Sequence, residues 1–130
     1  MSDHERRIDI RWRDMDAFGH VNNSVYLTYL EEVRDEWLER ALGSSVETWG
    51  FVIGRVAIDF RVPLRQSDRW VLACCRLHSI GTSSFRTSER LLAPSGRLAA
   101  EAETVMVAID RDSGASRPLT EQERRRLEEA

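Results

Sequence analysis

The residues best suited to chemistry stand together in Asp14-Met15-Asp16-Ala17-Phe18-Gly19-His20-Val21-Asn22-Asn23. Two carboxylates, an imidazole and two amides precede an amphipathic segment. The first backbone N–H groups of a helix have no intrahelical partner, and the helix dipole favours negative charge there. Such a place can hold a carbonyl oxygen that becomes an oxyanion during reaction. A carboxylate beside it can act as a nucleophile on the carbonyl carbon or as a base on water. Asp14 reads as a turn residue bonded to local backbone. Asp16 reads either as a turn-forming or helix-capping carboxylate or as the reactive one. Asn22 reads most simply as an N-cap.

Periodicity predicts the elements that must position this stretch. Residues 6–13 alternate as a strand through Ile8, Ile10 and Trp12. A helix starts near Asn22 or Asn23. Its apolar stripe is Tyr26, Leu30, Val33, Trp37 and Ala41, flanked by Leu27, Tyr29 and Leu38, in steps of three and four. Gly43 suits its end, and residues 44–50 read as a loop or short turn. The period then changes to two: Val56, Ile58, Phe60 and Val62 mark a half-buried strand ended by Pro63. Gln66-Ser67-Asp68 reads as a turn. Strands follow over 70–79, 83–93 and 98–110, with Pro94-Ser95-Gly96 as a hairpin turn. Thr120 caps a short charged helix over 120–129. The prediction is one α+β domain over residues 1–130, with one long helix on a five-stranded antiparallel sheet; short turns join the four strands after the helix, so consecutive ones are expected to be neighbours. The sheet's other face and edges are left to partner chains, so a homo-oligomer is expected.

Composition narrows the function classes. A net charge of −3 argues against general nucleic-acid binding, which needs a basic surface. Lysine is absent, so every basic residue besides the histidines is arginine. No apolar run reaches the length of a membrane span, and MSDHERRIDI has no apolar core of a secretory signal. A cytoplasmic protein without membrane insertion is expected. Cys74 and Cys75 are adjacent, so on a strand they face opposite ways and lack metal-site spacing. They read as reduced thiols. No metal or redox cofactor is implied.

The order of elements and the string Asp14-x-Asp16-Ala17-x-Gly19-His20-Val21-Asn22-Asn23-x-x-Tyr26-Leu27 resemble the hotdog-fold thioesterases. The resemblance is to the 4-hydroxybenzoyl-CoA thioesterase and acyl-CoA thioester hydrolase group that includes the Tol-Pal-associated thioesterase. Glu36-Trp37-Leu38, Ile58-Asp59-Phe60-Arg61-x-Pro63-Leu64 with Asp68, and Ser84-Phe85 carry it onward to about Ile109. It implies a long helix wrapped by a curved sheet, dimers joined edge to edge, frequent tetramers, and active sites at the dimer interface. It implies hydrolysis of an acyl-CoA to a carboxylic acid and free CoA. By motif position Asp16 is the base or nucleophile, and the Asn23 backbone N–H receives the thioester oxygen. His20 matches a catalytic histidine of plant-type acyl-carrier-protein thioesterases. The asparagine those enzymes carry two residues after the aspartate is Phe18 here, which leaves His20 as site-lining or as a structural hydrogen-bonding residue. Gly19, Asn22 and Ser84, in the matched motifs, and Arg61 are expected among the substrate-binding residues, with Phe18, Tyr26, Phe51 and Val52 lining an acyl pocket. The basic cluster that the aromatic-CoA enzyme places before its Ser-Phe hairpin is Gly81-Thr82-Ser83 here. Arg61, Arg65, Arg86 or Arg90 would have to take the CoA phosphates instead.

Two rivals stand beside this reading. One is a thioesterase acting on acyl-carrier protein, which would need a basic patch near the site for an acidic carrier. The other is a non-catalytic acyl-CoA-binding module. Hotdog hydratases are disfavoured because their His-x(4)-Gly pattern is missing; Gly81 follows His78 at the wrong spacing.

Overall fold

A computed structural model describes residues 3–43 and 50–130. The turn expected over residues 44–50 lies, apart from Gly50, outside the described residues. The elements are β1 (His4–Asp9), α1 (Asn23–Leu42), β2 (Phe51–Phe60), β3 (Trp70–Ile80), β4 (Ser84–Leu92), β5 (Leu98–Ala108) and α2 (Glu121–Glu129). The strands form one sheet in the order β1-β3-β4-β5-β2, antiparallel throughout. This is the expected α+β architecture of a long helix on a five-stranded sheet.

α1 forms because apolar residues recur at its buried face and both ends are capped. The Asn22 side chain accepts from Ser24 N–H, and Gly43, at φ +76°, stops the helix by donating its N–H to the Glu39 carbonyl. Tyr26, Tyr29, Leu30, Val33, Trp37, Leu38 and Leu42 are buried and pack chiefly over β3, β4 and β1. Ala73, Cys75, Phe85, Leu91 and Ala100 complete the core from the sheet. Burying each large side chain contributes about 1.5–3 kcal/mol. One stripe assignment changes, and one buried residue lies outside the expected stripe. Leu27 is 43 % exposed; Arg34 is 2 % exposed and ion-paired in the core.

Three strand expectations are corrected. β1 ends at Asp9, not at residue 13, because the chain turns into a short 3-10 segment, Trp12–Asp14. Asp14 closes that turn by accepting from Arg11 N–H at 3.0 Å. Trp12 is left 77 % exposed. β2 is less buried than its alternation suggests: Val52, Ile53 and Phe60 are exposed. It is an edge strand with β5 alone beside it, and α1 lies toward the other edge. Finally, β2 and β3 are not neighbours. Residues 61–69 carry the chain from one edge of the sheet across its end to the far side. Leu64 anchors that crossing: it is fully buried, its N–H donates to Tyr26 Oη at 2.9 Å, and its carbonyl accepts from Val21 N–H at 2.8 Å.

Cys74 and Cys75 are unpaired thiols in β3. Burial pushes the Cys74 thiol up to about 11.

Candidate active site

The Asp16–Asn23 corner is built by local hydrogen bonds. Met15 pairs with Val21 in an antiparallel bridge. Inside it, Asp16 N–H donates to the His20 carbonyl at 2.8 Å, and Gly19 N–H donates to the Asp16 carbonyl at 3.2 Å. Gly19 sits at φ +79°, a left-handed conformation that costs an L side chain roughly 1 kcal/mol or more. Asp16 Oδ1 accepts from Phe18 N–H at 2.8 Å and His20 N–H at 3.2 Å. Among the described residues nothing donates to Asp16 Oδ2, so one oxygen holds the turn while the other remains open to chemistry.

Asp14 is structural. Its Oδ2 accepts from Arg11 N–H and, at 2.7 Å, from the buried Tyr29 hydroxyl, while its backbone carbonyl receives Asn22 N–H at 2.8 Å. The corner is thereby fixed to α1. Burial works to raise the Asp14 carboxyl, but the Arg11 N–H, the Tyr29 hydroxyl and the Arg11 charge outweigh it and hold it below the usual range.

Asp16, His20, Val21, Asn23, Tyr26, Phe60, Arg61, Val62 and Pro63 line one cleft of about 210 Å³. The helix start supplies its polar end. Among the described residues no hydrogen bond engages the Asn23 N–H, which remains one of the orphan donors of the first turn. Tyr26 and Phe60, with ring centroids 5.2 Å apart, form an apolar wall. A carboxylate oxygen, an unpaired N–H and an apolar wall are the parts that acyl transfer requires.

The predicted site residues divide cleanly. Asp16, His20, Asn23, Tyr26 and Arg61 meet in the cleft. Asn22 does not line it: its side-chain oxygen takes both the N–H and the Oγ of Ser24 at 3.0 Å. Gly19 shapes the turn without lining the cleft, and Phe18 points outward, 83 % exposed. Phe51, Val52 and Ser84 are at the other end of the sheet. β2 runs from Phe51 to Phe60, about 30 Å at 3.3 Å per residue, and Ser84 pairs with Val107 beside Val52. Phe51 packs instead against Phe85, with centroids 5.5 Å apart. The wall residues Phe60, Val62 and Pro63 were not singled out by sequence reasoning, although they adjoin Arg61 in a matched motif. Of the arginines proposed for phosphate binding, Arg61 pairs with Glu101, Arg86 with Glu103 and Arg90 with Asp3, each at 2.6 Å. Arg65 makes no ion pair among the described residues.

The helix laid across an antiparallel sheet, with its N-terminus over a carboxylate turn, is the architecture of hotdog-fold thioester hydrolases. Comparison with known proteins agrees, and the chain belongs to the thioesterase-like superfamily, whose family model matches residues 10–127. It is 28 % identical to the long-chain acyl-CoA thioesterase FadM of Escherichia coli (strain K12), across 96 % of this chain and 97 % of that protein. It is 32 % identical to the chloroplastic acyl-acyl carrier protein thioesterase ATL3 of Arabidopsis thaliana, across 64 % of this chain and 44 % of that protein. A thioesterase from Thermus thermophilus, solved with coenzyme A and Zn, superposes with a TM-score of 0.86 at 33 % identity, covering 96 % of this chain and 91 % of that one. The chain is thus a thioesterase. Among the described residues no helix is long and apolar enough to cross a membrane.

Proposed function

We propose that this thioesterase hydrolyses acyl-CoA to a carboxylic acid and free CoA, using Asp16 as general base or nucleophile and the Asn23 N–H as oxyanion donor. The observation that carries the reading is the cleft in which the open Asp16 Oδ2 and the unpaired Asn23 N–H meet an apolar wall. As base, Asp16 takes a proton from water while the oxygen attacks the thioester carbon. The carbonyl oxygen becomes an oxyanion facing the helix start, and its collapse expels the CoA thiolate, which regains the proton. As nucleophile, Asp16 would form a mixed anhydride that water then cleaves. A thiolate is a good leaving group, so neither route needs a strong general acid. His20 borders the cleft and orders the turn through its backbone.

The whole-length similarity to an acyl-CoA thioesterase favours CoA over a carrier protein. The assembly proposed is a cytoplasmic homodimer or homotetramer built on the exposed β2 edge. Antiparallel pairing of two β2 strands would lay the Phe51–Val52 end of one beside the Phe60–Arg61 end of the other. That placement supports a shared acyl pocket, with Phe51, Val52 and Ser84 supplied from across the interface.

The test is thiol release from acetyl-, hexanoyl-, palmitoyl-, benzoyl- and phenylacetyl-CoA by wild type and Asp16→Asn. Loss of about 10²–10⁴ in rate is expected for the variant. Equal rates would reject Asp16, and silence across the panel with CoA still bound would favour a binding module.

A further inference from the structure

The crossing segment has a second face. Its Pro63 side walls the candidate active site, while Gln66, Ser67 and Arg69 line another cleft of about 720 Å³ together with Arg7, Asp9 and Ile10. We infer that this second cleft holds the phosphate-bearing nucleotide end of the CoA thioester, with Arg7 and Arg69 as its cations. The inference rests on the proposed acyl-CoA reading.

Three observations carry it. The first is unspent charge. Arg61, Arg86 and Arg90 are each tied to a carboxylate. Among the described residues neither Arg7 nor Arg69 makes an ion pair or a side-chain hydrogen bond. Arg7 lies over the Trp70 ring, 4.5 Å from its centroid, which fixes the guanidinium without neutralising it. Asp9 is the one acid on the cleft wall. Guanidinium groups free to form paired N–H bonds suit phosphate oxygens.

The second is backbone strain. Arg69 has φ +70° and ψ −40°, and it is the sole described residue other than glycine with positive φ. Such a conformation costs of order 1–3 kcal/mol and persists only where surrounding structure imposes it. Here Arg69 N–H donates to the Gln66 carbonyl at 2.9 Å, and the Arg69 carbonyl accepts from Ile10 N–H at 2.8 Å. Glycine would fit this position without strain, yet the chain carries a long cation.

The third is reach and local charge. Pro63 and Gln66 belong one to each cleft, and three residues of chain hold their Cα atoms within about 11 Å. An extended pantetheine arm spans that distance. The three segments at this end, residues 10–22, 61–69 and 93–97, carry six arginines against three aspartates, although the whole chain has a net charge of −3. Glu101 holds Arg61, and the arginines left over still give this end a cationic excess that favours an anion. A concave cleft of this size suits a nucleotide better than the broad surface of a carrier protein.

The experiment uses the full chain, with Arg69→Gly and Arg7→Gln beside wild type. Calorimetry measures binding of free CoA and of pantetheine, which lacks the nucleotide phosphates. Kinetics compare one acyl group carried on CoA and on pantetheine. In each variant we expect affinity for CoA to fall, and KM for the acyl-CoA to rise, by about tenfold or more. KM for the pantetheine thioester and kcat should stay within twofold. Arg69→Gly should keep or raise Tm, because it removes the strain, so weakened binding would not come from unfolding. Unchanged CoA binding in both variants would overturn the inference, as would an equal rise in KM for both substrates. So would cleavage of carrier-protein thioesters with no binding of free CoA. If CoA binds through the two arginines but no thioester is cleaved, the catalytic reading falls and this one stands.

Discussion

Asp16 performs two tasks with two oxygens, and substitutions can pull them apart. Asparagine at this position keeps an Oδ1 that accepts the Phe18 and His20 N–H groups, so Asp16→Asn should unfold within a few tenths of a kcal/mol of wild type while losing turnover. Asp16→Ala removes the turn bonds as well and should lose about 1 kcal/mol more, read from denaturant midpoints. Equal stability of the two variants would mean that the side chain does not hold the turn. Asp14 calls for a different measurement. Its carboxyl is held below its unfolded value near 3.9, so the folded state binds its proton less readily. The stability it contributes is complete above that unfolded value and is lost as pH falls through the lower folded one. In a Tm series from about pH 5 down to pH 2, Asp14→Asn should flatten the acid side of the profile.

Between α1 and the sheet lies a buried polar cluster. Arg34 Nη1 donates to Glu89 Oε1 at 3.0 Å and to Thr104 Oγ1 at 3.3 Å, and the Thr87 hydroxyl also reaches Glu89 Oε1 at 3.0 Å. Among the described residues Arg34 Nε and Glu89 Oε2 have no partner. Burial pushes the Glu89 carboxyl up despite the Arg34 charge and the hydrogen bonds that oppose it. The pair ties α1 to β4 and β5, and its desolvation offsets much of what the charge attraction contributes to stability. Arg34→Met alone should cost about 3–5 kcal/mol, because it leaves Glu89 buried without its cation. Arg34→Met with Glu89→Leu should recover most of that loss; a double variant no better than the single would refute this. The sequence does not show which residues meet in the cluster, since Arg34 is 55 and 70 residues from its partners Glu89 and Thr104. Position 34 does fall four after Leu30 on the buried stripe, and that spacing was the available clue. Local features were readable: Asp16 to Asn23 bonds within itself, Gly43 stops α1, and Thr120 caps α2 by accepting Glu123 N–H at 3.1 Å. Strand adjacency was not readable. Alternation in β2 reports which residues share a face but not that residues 61–69 cross to the far side of the sheet, where β3 lies beside β1. For the same reason Phe51, Val52 and Ser84 could be named for the acyl pocket and still be found far from Asp16 along the chain's own sheet.

At the scale of the molecule, β2 is the unfinished edge. Its residues Val52, Ile53 and Phe60 are exposed, and Leu27 of α1 is exposed with them. Apolar strand edges invite pairing with another chain. Ile53→Glu should lower the mass seen by sedimentation and lower turnover with it; an active monomer would separate the site from the assembly. The first described residues and Ala130 lie close together. Asp3 and His4 line one cleft with Ala130, beside Trp37, Arg40 and Ala41, and His4 Nε2 is 2.8 Å from Glu36 Oε1. The first described residues and the last residue thus meet on the same flank of α1, at the end of the helix away from Asp16. A short glycine-serine linker could join them, and the chain could be reopened at the exposed Pro94-Ser95-Gly96 turn. Such a circular permutant would begin within β5 territory and end in β4, yet keep residues 10–23 and 61–69 as unbroken covalent stretches. It should retain thiol-releasing activity, since the order in which the strands are synthesised is no part of the catalytic corner.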